Sequence, residues 1–178
     1  MINQQGSPRR DFVLADGLSL ADVQHVHREA LRVLRSAIDA AHLDAYSDEA
    51  WPPAVLNSYE CALSLAREAI ASGARSQRDD LGMGIDIDVR DDKQFGVLAD
   101  LAPYTINAEG WQGDCLIFSA NDTGTSLSIA VTQEQEAALL SRLDARGVSS
   151  TALVPLQPQR RRWAALMARM RGARRSAR

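Results

Sequence analysis

Asp86 and Asp88 stand two residues apart, separated by Ile87. On a strand both carboxylates project to one side, about 6–7 Å apart along the chain. Such a pair can hold a divalent cation or do acid–base work, and Asp91 and Asp92 follow closely enough to contribute. The same alternation is also what a strand with one wet face looks like. The chain adds no phosphate loop and no H-x-x-x-H pair, and the neighbourhood has no lysine except Lys93. A solvated acidic surface of Asp86, Asp88, Asp91 and Asp92 is therefore preferred, and a metal-dependent enzyme built on Asp86 and Asp88 is the third-ranked reading. No catalytic residue, metal or cofactor is assigned.

The other reactive side chains give less. His25 and His27 lie two apart in a helical pattern, so they point about 200° from each other and cannot chelate one ion. Glu29 shares a face with His25, a pairing expected to be solvated. His42 is read as a cation at a helix C-terminus. Cys61 falls on the apolar side of a helix as a small buried hydrophobe. Cys115 follows Asp114, whose charge raises rather than lowers a thiol pKa. Gly82-Met83-Gly84 lacks the third glycine of a phosphate cradle and leads into a strand. Nothing here argues for an enzyme.

The strongest pattern lies at residues 158–178, which hold eight arginines and no acid. Trp163, Leu166, Met167 and Met170 stand at i, i+3, i+4 and i+7, one narrow apolar stripe of a helix. Arg160, Arg161, Arg162, Arg169, Arg171, Arg174 and Arg175 surround and follow it. Such a segment can dock its anchors in a protein groove, neutralise nucleic-acid phosphates or lie on an anionic membrane. Its stripe can also pack on the chain's own sheet. Packing on the chain's own sheet ranks first, then a protein partner or self-association, then nucleic acid, and a membrane surface ranks last. The opposite charge collects between Asp79 and Asp122, where ten acids face only Arg90 and Lys93. The whole chain nets only −3, so this asymmetry points to electrostatic partners.

Elements must present these groups. Residues 1–17 read as a flexible lead-in in which Phe12–Leu14 can add a short strand. Ser19 with Asp22 starts a helix, and Val23, Val26, Ala30, Leu34, Ile38 and Ala41 extend its stripe to near Tyr46. Pro52 and Pro53 open a second helix that Gly73 stops. Together they predict an antiparallel helical hairpin over 19–73. The period then changes to 2. Residues 85–89 read as a strand, 91–93 as a turn and 95–98 as a return strand, with 99–114 irregular. Residues 115–120 and 125–131 form a hairpin across Asn121-Asp122-Thr123-Gly124. Thr132 and Gln135 begin a third helix with Ala138, Leu139 and Leu143 inward, and 149–156 makes one more strand.

The fold class expected is α+β. An N-terminal helical hairpin packs on a mostly antiparallel sheet of four to five strands, with one further helix and a trailing basic amphipathic helix. Residues 18–157 form one domain, with sheet and helix at 82–156, and 158–178 form the tail. A composition of 46% hydrophobic and 24% charged residues is globular. No apolar run reaches the length of a membrane span, and two distant cysteines suggest no disulfide framework. A cytoplasmic, non-enzymatic binding or adaptor protein is expected, immunity-, antitoxin- or chaperone-like in kind. The alternative is a nucleic-acid-binding accessory protein that uses the arginine tail.

Overall fold

Local signals start and stop the helices much as the sequence demands. The computed structural model describes residues 8–156. Helix α1 (Leu20–Leu34) begins where the Ser19 hydroxyl accepts the Asp22 N–H at 3.1 Å. Helix α2 (Leu56–Ala71) follows a short 3-10 turn at Pro53–Val55 and ends before Gly73, whose φ of 77° suits a residue without Cβ. Helix α3 (Asp92–Leu101) is capped by Asp91, whose carboxylate accepts the N–H groups of Lys93 and Gln94. Helix α4 (Gln133–Asp144) opens with a reciprocal capping box between Thr132 and Gln135.

Seven strands make one antiparallel sheet: β1 (Arg10–Leu14), β2 (Ala40–Leu43), β3 (Ile85–Asp86), β4 (Asn107–Gln112), β5 (Cys115–Asn121), β6 (Ser126–Val131) and β7 (Leu153–Pro155). Their spatial order is β3-β2-β4-β5-β6-β1-β7. The fold class is α+β. Residues in cross-strand register share a face. One row, Ile85–Leu43–Ala108–Ala120–Leu127, is fully buried. With Phe118, Ile129 and Phe12 it meets the apolar sides of all four helices in a single core. Helix α1 lies over β5 and β6 with α4 and α3 beside it, and α2 packs on α3 and β3.

Several expectations are corrected. The described residues form seven strands rather than four or five. The stripe read as one long helix to Tyr46 breaks at Leu34; Ile38 and Ala41 are buried, but on a turn and on β2. A strand thus separates α1 from α2, and α1 packs chiefly on α4, so 19–73 is not a helical hairpin. Residues 95–98 belong to α3 and not to a return strand. The segment read as irregular carries the end of α3 and all of β4. Within the lead-in, Arg10–Leu14 forms β1 between β6 and β7. The β5–β6 hairpin and α4 stand where the sequence puts them, although Ala138 is exposed; of the strand expected over 149–156 only β7 at Leu153–Pro155 forms, and Ser150–Ala152 is a 3-10 turn. Residues 1–7 and the expected trailing helix, with Trp163, Leu166, Met167, Met170 and the arginines, lie outside the described residues.

Candidate functional site

The side of the sheet opposite the helices is accessible. Its central row runs Asp86–His42–Glu109–Ser119–Ser128–Val13–Val154, each residue in register with the next. Only Ser119, on a central strand, is buried. A second row holds Ala40 beside Trp111, Trp111 beside Leu116, and Ala130 beside Asp11. Alternation along β7 puts Leu156, just past its end, on the same side as Val154. Leu116, Val154 and Leu156 are 40–48% exposed. They form, with Trp111, Ala130 and Val13, an apolar corner where β1 begins and β4 ends.

The strand positions of these two rows carry Asp11, Asp86 and Glu109 and no arginine or lysine among the described residues. His42 stands between two of the acids. Its Nδ1 lies 2.7 Å from the Asp86 carboxylate, and Glu109 is its partner across β4. Glu109 also accepts the Trp111 indole N–H at 3.2 Å, which fixes the ring against the sheet. Arg9, just ahead of β1, is tied down by the Ala130 carbonyl and the side chains of Gln112 and Gln135.

The structure separates the four acids that the sequence grouped. The alternation of burial over 85–89 holds: Ile85, Ile87 and Val89 are buried, and Asp86 and Asp88 are exposed. Strand pairing stops early, however, with Ile87 N–H donating to the Ala41 carbonyl as its last bond to β2. Asp88 then accepts the Arg90 N–H at 2.9 Å, closing a turn. Asp91 caps α3. Asp92 pairs with Arg35 at 2.7 Å, whose guanidinium also covers the Phe95 ring. Asp86 alone faces the open side of the sheet. The nearest cavity, ≈ 250 Å³, lies between α2 and β3, where Arg75, Asp79 and Asp86 join Leu65, Ala66 and Ala69 in its wall. Among the described residues no three His, Cys, Asp or Glu side chains converge as a metal cage requires.

Other groups also move from their expected places. His42 sits on β2, not at a helix end. Cys61 is exposed rather than buried, in a groove of ≈ 420 Å³ between α2 and α3. Glu29 is not a solvated partner of His25 but is buried on the α4 side of α1. There its oxygens meet Arg32 at 2.5 Å and Arg142 and Arg146 at 3.4 Å each. No local signal marks this cluster, because two of its arginines, Arg142 on α4 and Arg146 just past its end, lie more than a hundred residues away. His27 is fully buried beneath Phe118. Its Nδ1–H donates to the Val23 carbonyl at 2.8 Å, and Nε2 has no partner. Burial lowers its pKa to about 4, only partly opposed by that hydrogen bond. At the β3 edge the Tyr46 phenol donates to Asp80 at 2.7 Å, which pushes Tyr46 up and holds Asp80 down.

No protein-family model matches the sequence, and no curated protein or solved structure matches it either. The described helices include none long and apolar enough to cross a membrane.

Proposed function

We propose that this chain is a non-enzymatic binding protein whose partner is another protein, seated on the open face of the sheet. The observation that carries this reading is a seven-stranded sheet whose described helices all lie on one side, with an acidic row and an apolar corner on the other. Contiguous apolar surface rimmed by charge is costly to leave in water and marks interaction sites. Trp111 suits the role of anchor, since aromatic side chains supply most of the energy of such contacts. Asp11, Asp86 and Glu109 select a partner with a basic surface and reject acidic ones. An immunity- or chaperone-like adaptor works in this way. The basic segment 158–178 adds a second contact of opposite sign.

The test compares partners held by the wild-type chain with those held by two variants. Asp11→Arg/Glu109→Arg reverses the open face, and Ala138→Arg/Ser141→Arg, at exposed positions of α4, changes only the helical side. A protein partner kept by the second variant and lost by the first supports the reading. A partner indifferent to the first variant refutes it. Binding to duplex DNA or single-stranded RNA that weakens steeply with salt, and is lost when the tail arginines become glutamine, favours the nucleic-acid alternative.

A further inference from the structure

On the helical side of the molecule one carboxylate holds three guanidinium groups. Glu29 is 3% exposed, and its oxygens meet Arg32 on α1, Arg142 on α4 and Arg146 just past α4, side chains that are 41–53% exposed. The cluster therefore carries two surplus positive charges. None of the three arginines is paired with a second carboxylate among the described residues, and residues 1–7 and 157–178 contain no Asp or Glu that could neutralise the excess. Each guanidinium approaches Glu29 through one nitrogen, so most of its N–H donors remain for another acceptor. Stability does not call for all three. A buried carboxylate needs a partner, but a third half-exposed arginine adds little. Beside the cluster, between α1 and α4, runs a groove of ≈ 400 Å³. Arg32 and Arg142 stand in its wall with Val33, Ser36, Ala138 and, at the start of α4, Glu134.

We propose that this groove binds a small, soluble phosphate monoester. Its phosphoryl group sits at the Arg32–Arg142–Arg146 cluster, and its body lies along Val33 and Ala138 toward Glu134. Three features select this class. The first is charge. A phosphate monoester carries close to two negative charges at neutral pH, which matches the surplus of two, whereas each diester of a nucleic-acid backbone carries one. The second is preorganisation. Guanidinium groups grip phosphate oxygens through paired N–H donors, and Glu29 already gathers three of them, which lowers the ordering cost of binding. The third is the body of the ligand. Glu134 requires hydroxyl or amine donors at that end and repels a second phosphoryl group, and the exposed Ser36 hydroxyl adds a polar contact. The volume lies in the range of small-molecule sites. This site is on the far side of the sheet from the open face and stands independently of the docking reading.

The test is a titration of the full chain with glycerol 3-phosphate at constant ionic strength, followed by amide and arginine Nε–H resonances. The expected result is one saturating curve shared by the Arg32, Arg142 and Arg146 Nε–H groups and the Ser36 and Ala138 amides, with no such curve for glycerol or for sulfate. Arg142→Gln, which leaves Glu29 two partners, should weaken binding about tenfold. Arg90→Gln, at an exposed position away from the groove, should leave it unchanged. Chemical denaturation of Arg142→Gln checks that the variant is folded. Shifts confined to residues 157–178 overturn the proposal and assign phosphate binding to the basic segment. So does an equal response to sulfate, which reduces the cluster to a general anion attractor. Single-stranded DNA without terminal phosphates that binds these positions more tightly than glycerol 3-phosphate assigns them to a nucleic-acid backbone instead. Vesicles containing phosphatidic acid form the last arm. Vesicle binding that Arg142→Gln abolishes, with Ser36 and Ala138 unmoved by glycerol 3-phosphate, places the phosphate on a lipid and overturns the soluble ligand.

Discussion

His27 is the residue that most directly ties stability to pH. Unfolded, it takes up a proton near pH 6.5; folded and buried, it resists until about pH 4. Between these values the unfolded chain binds the extra proton, so stability falls as pH is lowered through that window. By its acid end the loss from this group reaches ~3 kcal/mol. In His27→Leu the ring with its unpartnered Nε2 is gone. Urea midpoints measured at about pH 7 and about pH 4.5 should fall much further for the wild type than for this variant. Equal falls would show that other groups carry the acid sensitivity. Glu29 makes a second residue-scale case. It is buried, while Arg32, Arg142 and Arg146 are each 41–53% exposed. Removing one arginine leaves the carboxylate two partners, and the cost should stay below about 1 kcal/mol. Glu29→Gln removes the shared negative charge and turns one of the two acceptor oxygens into an NH2 donor, and chemical denaturation should show a loss of about 1–3 kcal/mol. If Arg146→Gln costs as much as Glu29→Gln, the three arginines do not act as alternates.

At the scale of elements, backbone geometry pins the turns. Gly124 closes the β5–β6 hairpin with φ 78°, and a Cβ there would lie 1.9 Å from the Pro103 carbonyl oxygen. That neighbour is backbone and cannot swing away, so Gly124→Ala must displace either the hairpin or the end of α3. Thermal melting should show a marked loss, against little change for Gly113→Ala, where φ is also positive but no atom lies within 4 Å. If the two variants melt alike, the contact with Pro103 is unimportant. This hairpin was legible because its punctuation is strong: Asn, Asp and Gly between two alternating apolar runs. The capping box of α4 was legible for the same reason. Three elements were not. β2, Ala-Ala-His-Leu, continues the spacing of the α1 stripe, and its strand state comes from pairing with β4, which no local signal records. β4 reads Asn-Ala-Glu-Gly-Trp-Gln, without a β-branched residue. At its Gly110 a Cβ would stand 2.9 Å from the end of the Ile38 side chain, which would have to shift to make room. α3 carries Gly96 in its interior, and Asp91-Asp92-Lys93 reads equally as a hairpin turn or as a helix cap. Tertiary contacts decided each of these, as they routinely override propensity.

For the molecule as a whole, the site was legible as chemistry but not as place. The acidic stretch 79–122 was visible, yet its members divide among turns, caps and two sides of the sheet. Asp86 and Glu109 reach the open face, whereas Asp88, Asp91 and Asp92 serve their own loop and helix. Trp111, Leu116, Val13 and Val154 gave no joint signal, because strands far apart in sequence bring them together. The account therefore rests on an architectural fact, a broad sheet that the described helices cover on one side. Two layers suffice for a core of this size, and the side of the sheet away from the described helices is the one proposed to bind. The measurement that tests this most directly is site-specific photo-cross-linking in cells. One photoreactive residue replaces Ser128 on the open face, and another replaces the exposed Ala138 on α4. The account predicts covalent adducts with a distinct, basic protein from position 128 and none from position 138. Adducts from 128 only to this chain's own residues, or equal adducts from both positions, would contradict the docking of a protein partner on the sheet.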